Sequence, residues 1–333
     1  MDTIFFVIIL IVIFALVFDF SNGFHDTANT VATSISTGAL PPRFAVILAG
    51  VMNFVGALAF TGVAKTITKG ITDPFQLQNG LIVVMAALIA AVSWNIITWY
   101  FGIPSSSSHA IIGSVAGAAI ASEGIHALNY DGFLGIILAL VVSPFVALAF
   151  GFIIMFLFKI IFKNFPLSKT NKGFRLFQIL TASLQSFAHG TNDGQKAMGI
   201  ITLALITAGY LNSAEIPMWV RFLAALAMGL GTAVGGWRII KTVGGKIMKI
   251  RPVNGAAADL GSAIIIFGFS RLGLPVSSTH VISSSIMGVG TAQRVKGVKW
   301  GVARRIVLTW IITLPSVAIL SALIFELLQF FFK

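Results

Sequence analysis

Two stretches of the sequence place several polar side chains between long apolar runs. The first is SNGFHDTANTVAT at 21–33, which contains Asp26, and the second is SFAHGTNDGQKAMGI at 186–200, which contains Asp193. The oxygen-bearing neighbours of the two carboxylates are Asn22, Thr27, Asn29, Asn192 and Gln195. Oxygen ligands without a thiolate suit a hard cation such as sodium. A proton carried by an aspartate and a simple helix N-cap are the alternatives.

A second pair of motifs is rich in hydroxyl groups. GIPSSSSHAI occupies 102–111 and GLPVSSTHVI occupies 273–282. In each motif the Gly-x-Pro sequence ends one helix, and the hydroxyls that follow cap the next. Backbone N–H groups and hydroxyls at the positive end of a helix bind anions, although capping alone would use the same residues. Two copies, in a chain that also has two carboxylates in apolar surroundings, favour an anion site.

The charge balance of the four motifs links the two kinds of ligand. They contain a single basic residue, Lys196, so a dianion bound among them would need bound cations. The carboxylates of Asp26 and Asp193 would hold those cations, and in a low dielectric each ligand lowers the electrostatic cost of the other. This is a physical basis for symport. Asp19 is a weaker candidate for the ion path, and Asp259 is interpreted only as a residue near a helix start.

The motifs occur twice and in the same order, which indicates an internal duplication. The matched residues are Gly23 with Gly190, Asp26 with Asp193, Gly102 with Gly273, Pro104 with Pro275, Ser107 with Ser278 and His109 with His280. Chance similarity between apolar segments does not explain the match, because the matching positions are the polar ones. We therefore divide the chain into a first transmembrane repeat at 1–160, a basic linker at 161–175 and a second repeat at 176–333.

The composition is that of a membrane protein. Of the 333 residues 57% are hydrophobic and only 10% are charged, whereas a soluble domain has about 25% charged residues. Apolar segments recur near 3–18, 27–40, 43–64, 79–101, 107–122, 133–160, 176–188, 196–211, 218–236, 256–272, 278–292 and 302–331. They predict an all-α, polytopic helical membrane protein, because a β-barrel would alternate polar and apolar residues. The spacing of Gly113 and Gly117 predicts close helix packing.

Basic residues predict the orientation, because they concentrate in cytoplasmic loops. The linker carries Lys163, Lys169, Lys172 and Arg175. It is therefore expected to be cytoplasmic. If 176–188 and 196–211 form one crossing interrupted at the polar motif, each repeat crosses five times, the repeats are inverted and both termini lie outside. Lys65 and Lys69 then also lie outside, against the rule. Inverted repeats with interrupted helices that meet near the midplane are typical of secondary transporters.

The motifs NGFHDTANTVAT, HGTNDGQKAMGI, PSSSSH and PVSSTH resemble those of the inorganic phosphate transporter (PiT) family, over nearly the whole chain. The resemblance implies a phosphate symporter with inverted repeats and twelve helical segments, driven by sodium or protons. The phosphate ligands it implies are Ser105, Ser106, Ser107, Ser108, Ser277, Ser278, Thr279, Gln195, Thr27 and Thr191, and the sodium ligands are Asp26, Asn29, Asn22, Asn192 and Asp193. The chain departs from the family signature at His25, where Asn is usual, and at Lys196, which stands opposite Asn29.

The leading hypothesis is import of inorganic phosphate by cation symport, with sodium favoured as the coupling ion. A proton-coupled phosphate permease or a sulfate permease of the same family is the alternative, and an uncoupled channel is a third hypothesis. An enzyme is not expected, because no nucleophile–base pair or metal cluster is evident in the sequence. We expect a multi-pass protein of the cell membrane that binds phosphate, sodium or protons and lipid, with a homodimer left open. No cofactor beyond co-transported ions and no nucleic acid is expected.

Overall fold

The computed structural model describes residues 3–77, 79–240 and 247–332, and these residues contain no β-strand. The first half forms α1 (Thr3–Ser36), α2 (Pro42–Ala59), α3 (Gly62–Gly70), α4 (Gly80–Tyr100), α5 (Ser107–Glu123) and α6 (Tyr130–Phe162). The second half forms α7 (Leu167–Asp193), α8 (Lys196–Thr207), α9 (Met218–Val234), α10 (Pro252–Arg271), α11 (Ser278–Gln293) and α12 (Trp300–Phe332). The fold is all-α, as predicted.

Six of the described helices have the length and apolarity needed to cross a bilayer: α1, α2, α4, α6, α10 and α12. A helix rises about 1.5 Å per residue, so about 20 residues span a hydrocarbon core of about 30 Å. Large apolar side chains are exposed along these helices, for example Ile47 at 57%, Phe145 at 71% and Leu323 at 64%. Such surfaces suit contact with lipid tails, and the prediction of a polytopic membrane protein is confirmed.

The two carboxylate motifs differ in their helical continuity. In the second half α7 ends at Asp193 and α8 begins at Lys196, so the predicted interruption is present. In the first half there is no such break, because α1 is a continuous helix of 34 residues that passes through Asp26. The apolar segments expected at 3–18 and 27–40 are therefore one helix. Gly194 follows Asp193 where Thr27 follows Asp26, and glycine costs about 1 kcal/mol in a helix interior.

The chain between the two halves is mostly helical. α6 extends to Phe162 and α7 begins at Leu167, so only four residues of the predicted basic linker lie between helices.

The duplication also extends beyond the four motifs. α6 and α12 both have 33 residues, and each has a proline inside, Pro144 and Pro315. A short 3₁₀ turn precedes each of the two long helices, at Ile125–Ala127 and Val295–Gly297.

The two halves exchange packing partners. α5 packs against α12 and its counterpart α11 packs against α6, while α1 packs against α9 and α7 packs against α2. The backbones approach closely, since a Cβ atom at Gly113 would lie 2.8 Å from the Leu314 carbonyl oxygen, and one at Gly117 would meet the Ala318 carbonyl. The close packing predicted for these two glycines is confirmed. Reciprocal partners of this kind fit a two-fold relation between the halves.

The two lysines that break the positive-inside rule have partners at the surface. Lys65 Nζ lies 2.6 Å from Glu215 Oε1, and Lys69 Nζ lies 5.7 Å from the centre of the Phe75 ring. The contact with Glu215 places Lys65 on the face where the acidic loops are expected. The predicted orientation stays a prediction.

Candidate functional site

The structure brings the two motif aspartates together in the protein interior. Asp26, Asp193 and His189 each offer a ligand atom, and these atoms lie within 4.8 Å of one another. The side chains are at most 2% exposed. α1 presents Asp26 from within the helix, and α7 presents Asp193 as its last residue. Two carboxylates from different halves therefore share one buried polar region.

Each aspartate is held in the same way by the hydroxyl motif of its own half. Ser107 Oγ donates to Asp26 Oδ2 at 2.8 Å, and Ser278 Oγ donates to Asp193 Oδ2 at 2.8 Å. The remaining carboxylate oxygens have different partners. His25 Nδ1 lies 2.6 Å from Asp26 Oδ1, and Asn192 Nδ2 donates to Asp193 Oδ1 at 2.5 Å. The serine–aspartate pair is therefore the common unit of the two half-sites.

The hydroxyl motifs start two short helices inside the protein. Ser106 Oγ accepts from the His109 amide at 3.1 Å, and Ser277 Oγ accepts from the His280 amide at 3.2 Å. Both serines are thus N-caps, as predicted. α5 has 17 residues and α11 has 16, about 25 Å each, which is less than the hydrocarbon thickness. Their positive ends lie at the buried aspartates, and the other N-terminal N–H groups have no intrahelical partner.

Two matched residues reach across to the opposite half. Asn29 Nδ2 donates to Thr279 Oγ1 at 2.9 Å. Its counterpart Lys196 donates from Nζ to Ser107 Oγ at 2.9 Å and lies 3.1 Å from Asp193 Oδ1. Among the side chains described as buried, Lys196 is the only lysine or arginine. The site therefore carries its own cation in one half and a neutral amide in the other.

Several predicted phosphate ligands make other contacts in the described structure. Thr27 Oγ1 donates to Gly23 O at 2.7 Å, Thr191 Oγ1 to Ala188 O at 2.6 Å, Ser105 Oγ to Thr98 Oγ1 at 3.0 Å, and Ser108 Oγ to Val276 O at 2.7 Å. Gln195 Oε1 accepts from the Ala64 amide at 3.0 Å, and Gln195 Nε2 donates to Thr191 O. Gln195 thus ties the break between α7 and α8 to α3. The assignment of Thr27, Thr191, Ser105, Ser108 and Gln195 to phosphate binding stays a prediction.

The predicted sodium ligands differ in how far their polar atoms are already used. Asn192 Oδ1 accepts from the Val276 amide at 3.1 Å and Nδ2 donates to Val276 O at 2.8 Å, so this amide fixes the second hydroxyl motif. In the described residues neither amide atom of Asn22 has a hydrogen-bond partner, and neither has either carboxylate oxygen of Asp19. Both side chains are 0% exposed. Buried polar groups are nearly always bonded, so the two side chains are candidates for contact with a ligand or water.

Sequence reasoning missed the residues that support the site from α2 and α9. Asn53 Oδ1 lies 2.8 Å from His189 Nδ1, and Asn53 Nδ2 donates to Thr232 Oγ1 at 3.3 Å. A lone asparagine inside an apolar run was the available signal.

The role given to Asp259 also needs correction, because α10 begins at Pro252 and Asp259 lies in its interior. Thr33 Oγ1 donates to Asp259 Oδ1 at 2.6 Å, which binds α10 to α1.

The matched histidines His109 and His280 lie against each other. Their ring centres are 4.5 Å apart, and the Trp310 ring stacks on His280 at 4.0 Å. Residues that occupy equivalent positions in two related halves touch only near the axis that relates them. The contact of the two histidines is what the predicted inverted repeat would give near its axis, and the inversion itself stays a prediction.

The chemistry of the site is that of ion binding. Hydroxyls, carboxylates and one ammonium group lie in a region where Asp26, Asp193 and the motif serines are at most 2% exposed. In an acyl-transfer triad the histidine lies between the serine and the carboxylate. Here Asp26 lies between Ser107 and His25, so the order of the contacts is wrong for activating the serine. The groups present are of the kinds that hold an anion beside a cation, and which residue holds which ion stays a prediction.

Comparison with known proteins gives consistent matches. Residues 22–321 match the model of the phosphate transporter family. The chain is 65% identical over 333 residues to the "Probable low-affinity inorganic phosphate transporter" of Bacillus subtilis (strain 168), covering 100% of both chains. It is 45% identical over 314 residues to the protein of the same description from Rhizobium meliloti (strain 1021), covering 93% of this chain and 92% of the other. A solved structure, "The sodium-dependent phosphate transporter", is similar with a TM-score of 0.85 and 29% identity, covering 97% of this chain and 99% of that one.

Proposed function

The chain belongs to the phosphate transporter family, and from this membership we propose that it imports inorganic phosphate by cation symport with sodium as the coupling ion. The protein is a multi-pass membrane transporter of inorganic phosphate and not an enzyme. The coupling ion, the direction of transport and the residues that bind each ligand are the parts that we propose.

The observation that carries the proposal is the serine–aspartate pair at 2.8 Å in each half. A hydroxyl has a single hydrogen to donate, so Ser107 donates either to Asp26 or to a phosphate oxygen. A cation bound to Asp26 would take over the role of the hydroxyl hydrogen and release Ser107 for phosphate. The same exchange applies to Ser278 and Asp193. Cation binding and phosphate binding thereby support each other.

The proposed ligand sets follow from the motifs and the contacts. Phosphate would be held by the hydroxyls and free backbone N–H groups at the start of α5 and α11. The set comprises Ser105, Ser106, Ser107, Ser108, Ser277, Ser278 and Thr279, with Thr27, Thr191 and Gln195 beside them. Sodium would be held by Asp26, Asn29, Asn22, Asn192 and Asp193. The amide of Asn22, which has no hydrogen-bond partner among the described residues, supports its role as a ligand.

Sodium is favoured over the proton for two reasons. The proposed sodium ligands, Asp26, Asn29, Asn22, Asn192 and Asp193, all offer a side-chain oxygen, as a hard cation requires. The solved structure that resembles this chain is described as a sodium-dependent phosphate transporter. A proton-coupled permease for phosphate or for sulfate remains the alternative, and its test is part of the same experiment.

Uptake into proteoliposomes tests the proposal. Radiolabelled phosphate uptake would be measured with an inward sodium gradient, with an inward proton gradient and with neither, at equal ionic strength. We expect accumulation above equilibrium only with the sodium gradient, and little competition by excess sulfate. Accumulation driven by the proton gradient alone would replace sodium by the proton. Equilibration of phosphate with no accumulation under either gradient would indicate a channel and contradict the proposal.

A further inference from the structure

We propose that the ammonium group of Lys196 is a tethered cation that takes the place of a co-transported cation in the second half of the site. The inference rests on the proposed cation symport and concerns how many cations accompany each phosphate. It predicts that the first half binds its cation from solution, whereas the second half carries one on the chain.

The positions of Asn29 and Lys196 support this inference. The two residues match in the duplicated motifs, each three residues after its aspartate. Both reach the hydroxyl motif of the opposite half, Asn29 at Thr279 and Lys196 at Ser107. Asn29 Nδ2 also lies 3.4 Å from Ser278 Oγ, the counterpart of Ser107, so the two side chains reach equivalent places although α1 is continuous and α7 ends at Asp193. What differs is the chemistry, because asparagine contributes a neutral amide where lysine contributes a full positive charge.

The surroundings of the ammonium are those of a bound cation. Nζ lies 3.1 Å from Asp193 Oδ1 and 2.9 Å from Ser107 Oγ. These atoms are a carboxylate and a hydroxyl oxygen, one from each half of the site. The side chain is 0% exposed. A buried ammonium in a membrane interior is retained only when carboxylates compensate it.

A second buried carboxylate lies on the helix that packs against α8. Asp19 is 0% exposed, and both of its oxygens lack a partner in the described residues. α1, which carries Asp19, packs against α8, which begins at Lys196. The ammonium lies 3.1 Å from the Asp193 carboxylate, and Asp19 is a second buried carboxylate, on the helix that packs against α8. A cation fixed at this place makes a mobile cation in the same half redundant.

Neutral substitution of the lysine separates this role from direct phosphate binding. Lys196→Asn reproduces the residue of the first half and should open a second place for sodium. We expect its phosphate uptake to be low at sodium concentrations that saturate the unmodified protein and to recover at higher sodium. The half-saturating sodium concentration should rise about fivefold or more, on the scale of a typical coupling energy. The dependence on sodium should also become steeper, and one more sodium should enter per phosphate.

Two variants serve as controls in the same assay. Lys196→Arg keeps the positive charge and should keep the ratio of sodium to phosphate. Lys65→Asn removes a lysine that is 42% exposed and paired with Glu215, and it should leave ratio and steepness unchanged. The ratio would be obtained from radiolabelled sodium and phosphate, and from the membrane potential at which net phosphate flux is zero. The membrane potential at zero flux gives the net charge carried with each phosphate, whichever cation drives transport.

Three outcomes are decisive. A lower phosphate affinity of Lys196→Asn at every sodium concentration, with an unchanged ratio, would make Lys196 a phosphate ligand and overturn the inference. If the variant does not transport, radiolabelled sodium binding to purified protein in detergent replaces the flux assay, and an equal number of bound sodium ions in both proteins would also overturn it. Uptake by the unmodified protein without any cation dependence would instead contradict the proposed symport itself.

Discussion

Asp26 and Asp193 each accept a hydrogen bond from the serine that begins a buried helix. Hydrogen bonds to charged groups contribute about 1.5–3 kcal/mol each, so the carboxylate charge and the serine hydroxyl stabilise one another. The sequence could reveal these four residues because polar side chains are rare in apolar runs and because these occur twice. Asn53 was missed because it stands alone in an apolar run, and its partner His189 is 136 residues away.

Replacing either aspartate with asparagine keeps the shape of the side chain and removes its charge. We expect phosphate uptake by Asp26→Asn and by Asp193→Asn to fall about tenfold or more. A loss of about 1.4 kcal/mol in the interaction of the site with its cation is enough for a factor of ten. Initial uptake rates in proteoliposomes measure the effect. Asp131→Asn is the matched control, since this aspartate is exposed in the first turn of α6. Normal uptake by well-folded Asp193→Asn would rule out the assignment of this residue.

Removing the hydroxyl at Ser107 or Ser278 should weaken phosphate binding more than sodium binding measured alone. We expect a loss of about fivefold in phosphate affinity, on the scale of about 1 kcal/mol per hydrogen bond. Phosphate would be titrated into purified Ser107→Ala and Ser278→Ala at several sodium concentrations, with potassium holding the ionic strength constant. Ser213→Ala, in an exposed loop, is the control.

Coupling is tested in the same titrations. In the unmodified protein sodium should tighten phosphate binding by the factor by which phosphate tightens sodium binding, typically about 1–3 kcal/mol of coupling free energy. A phosphate affinity that ignores sodium would refute sodium coupling. An affinity that follows pH instead would support the proton-coupled alternative.

At the scale of single elements, the two halves use one motif in two backbone forms. α1 continues through Asp26, whereas α7 stops at Asp193 and α8 restarts at Lys196. The sequence predicts the interruption in the second half but not the continuity of the first, because both segments have the same polar spacing. The difference depends on Gly194 and on the contacts of Gln195 with Ala64 and Thr191, which join residues distant in the chain. Spacing alone carries no information about such contacts.

The contact between α5 and α12 predicts a large effect of adding side chains to its glycines. Gly117→Leu should destabilise the protein strongly, because a Cβ atom there would meet the backbone of Ala318. Overpacking typically costs about 1–3 kcal/mol, and a backbone cannot move aside as a side chain does. The melting temperature in detergent measures the effect.

Gly135→Leu in α6 is the control for this change, because a Cβ atom there has no neighbour within 4 Å. Leucine is a better helix former than glycine by up to about 1 kcal/mol. The control should therefore melt at the same temperature or slightly higher. Equal melting temperatures for the two variants would contradict the close contact of α5 with α12.

At the scale of the whole molecule, each half is completed by the other. α5 and α11 begin at the shared site and pack on the long helices of the opposite half. The sequence indicated the duplication through its polar motifs, and the helix content through its apolar runs. The sequence could not show that helices of one half pack on helices of the other. A repeat identifies which helices are equivalent, but it does not show which helices are in contact. The contact of His109 with His280 fits a common centre of the two halves.

The predicted orientation can be tested directly, because the chain contains no cysteine. Ser122 lies near the end of α5, and Lys249 is exposed in the basic segment before α10. Single cysteines at these positions should react with a membrane-impermeant thiol reagent from opposite faces, Ser122→Cys from outside and Lys249→Cys from inside. Intact and permeabilised cells, compared for each variant, give the assignment. Labelling of both from the same face would show that five crossings per half is wrong.

In this structure the buried polar region around Asp26 and Asp193 reaches neither surface, since these side chains and the motif serines are at most 2% exposed. A site closed in this way gives ions no open path. Under the proposed symport, the ion gradient is then consumed only in step with each phosphate carried, and a copy that is not turning over drains nothing. A cell can therefore hold many copies without discharging its membrane. In planar bilayers, conductance should stay at the value of bare lipid however many copies are inserted.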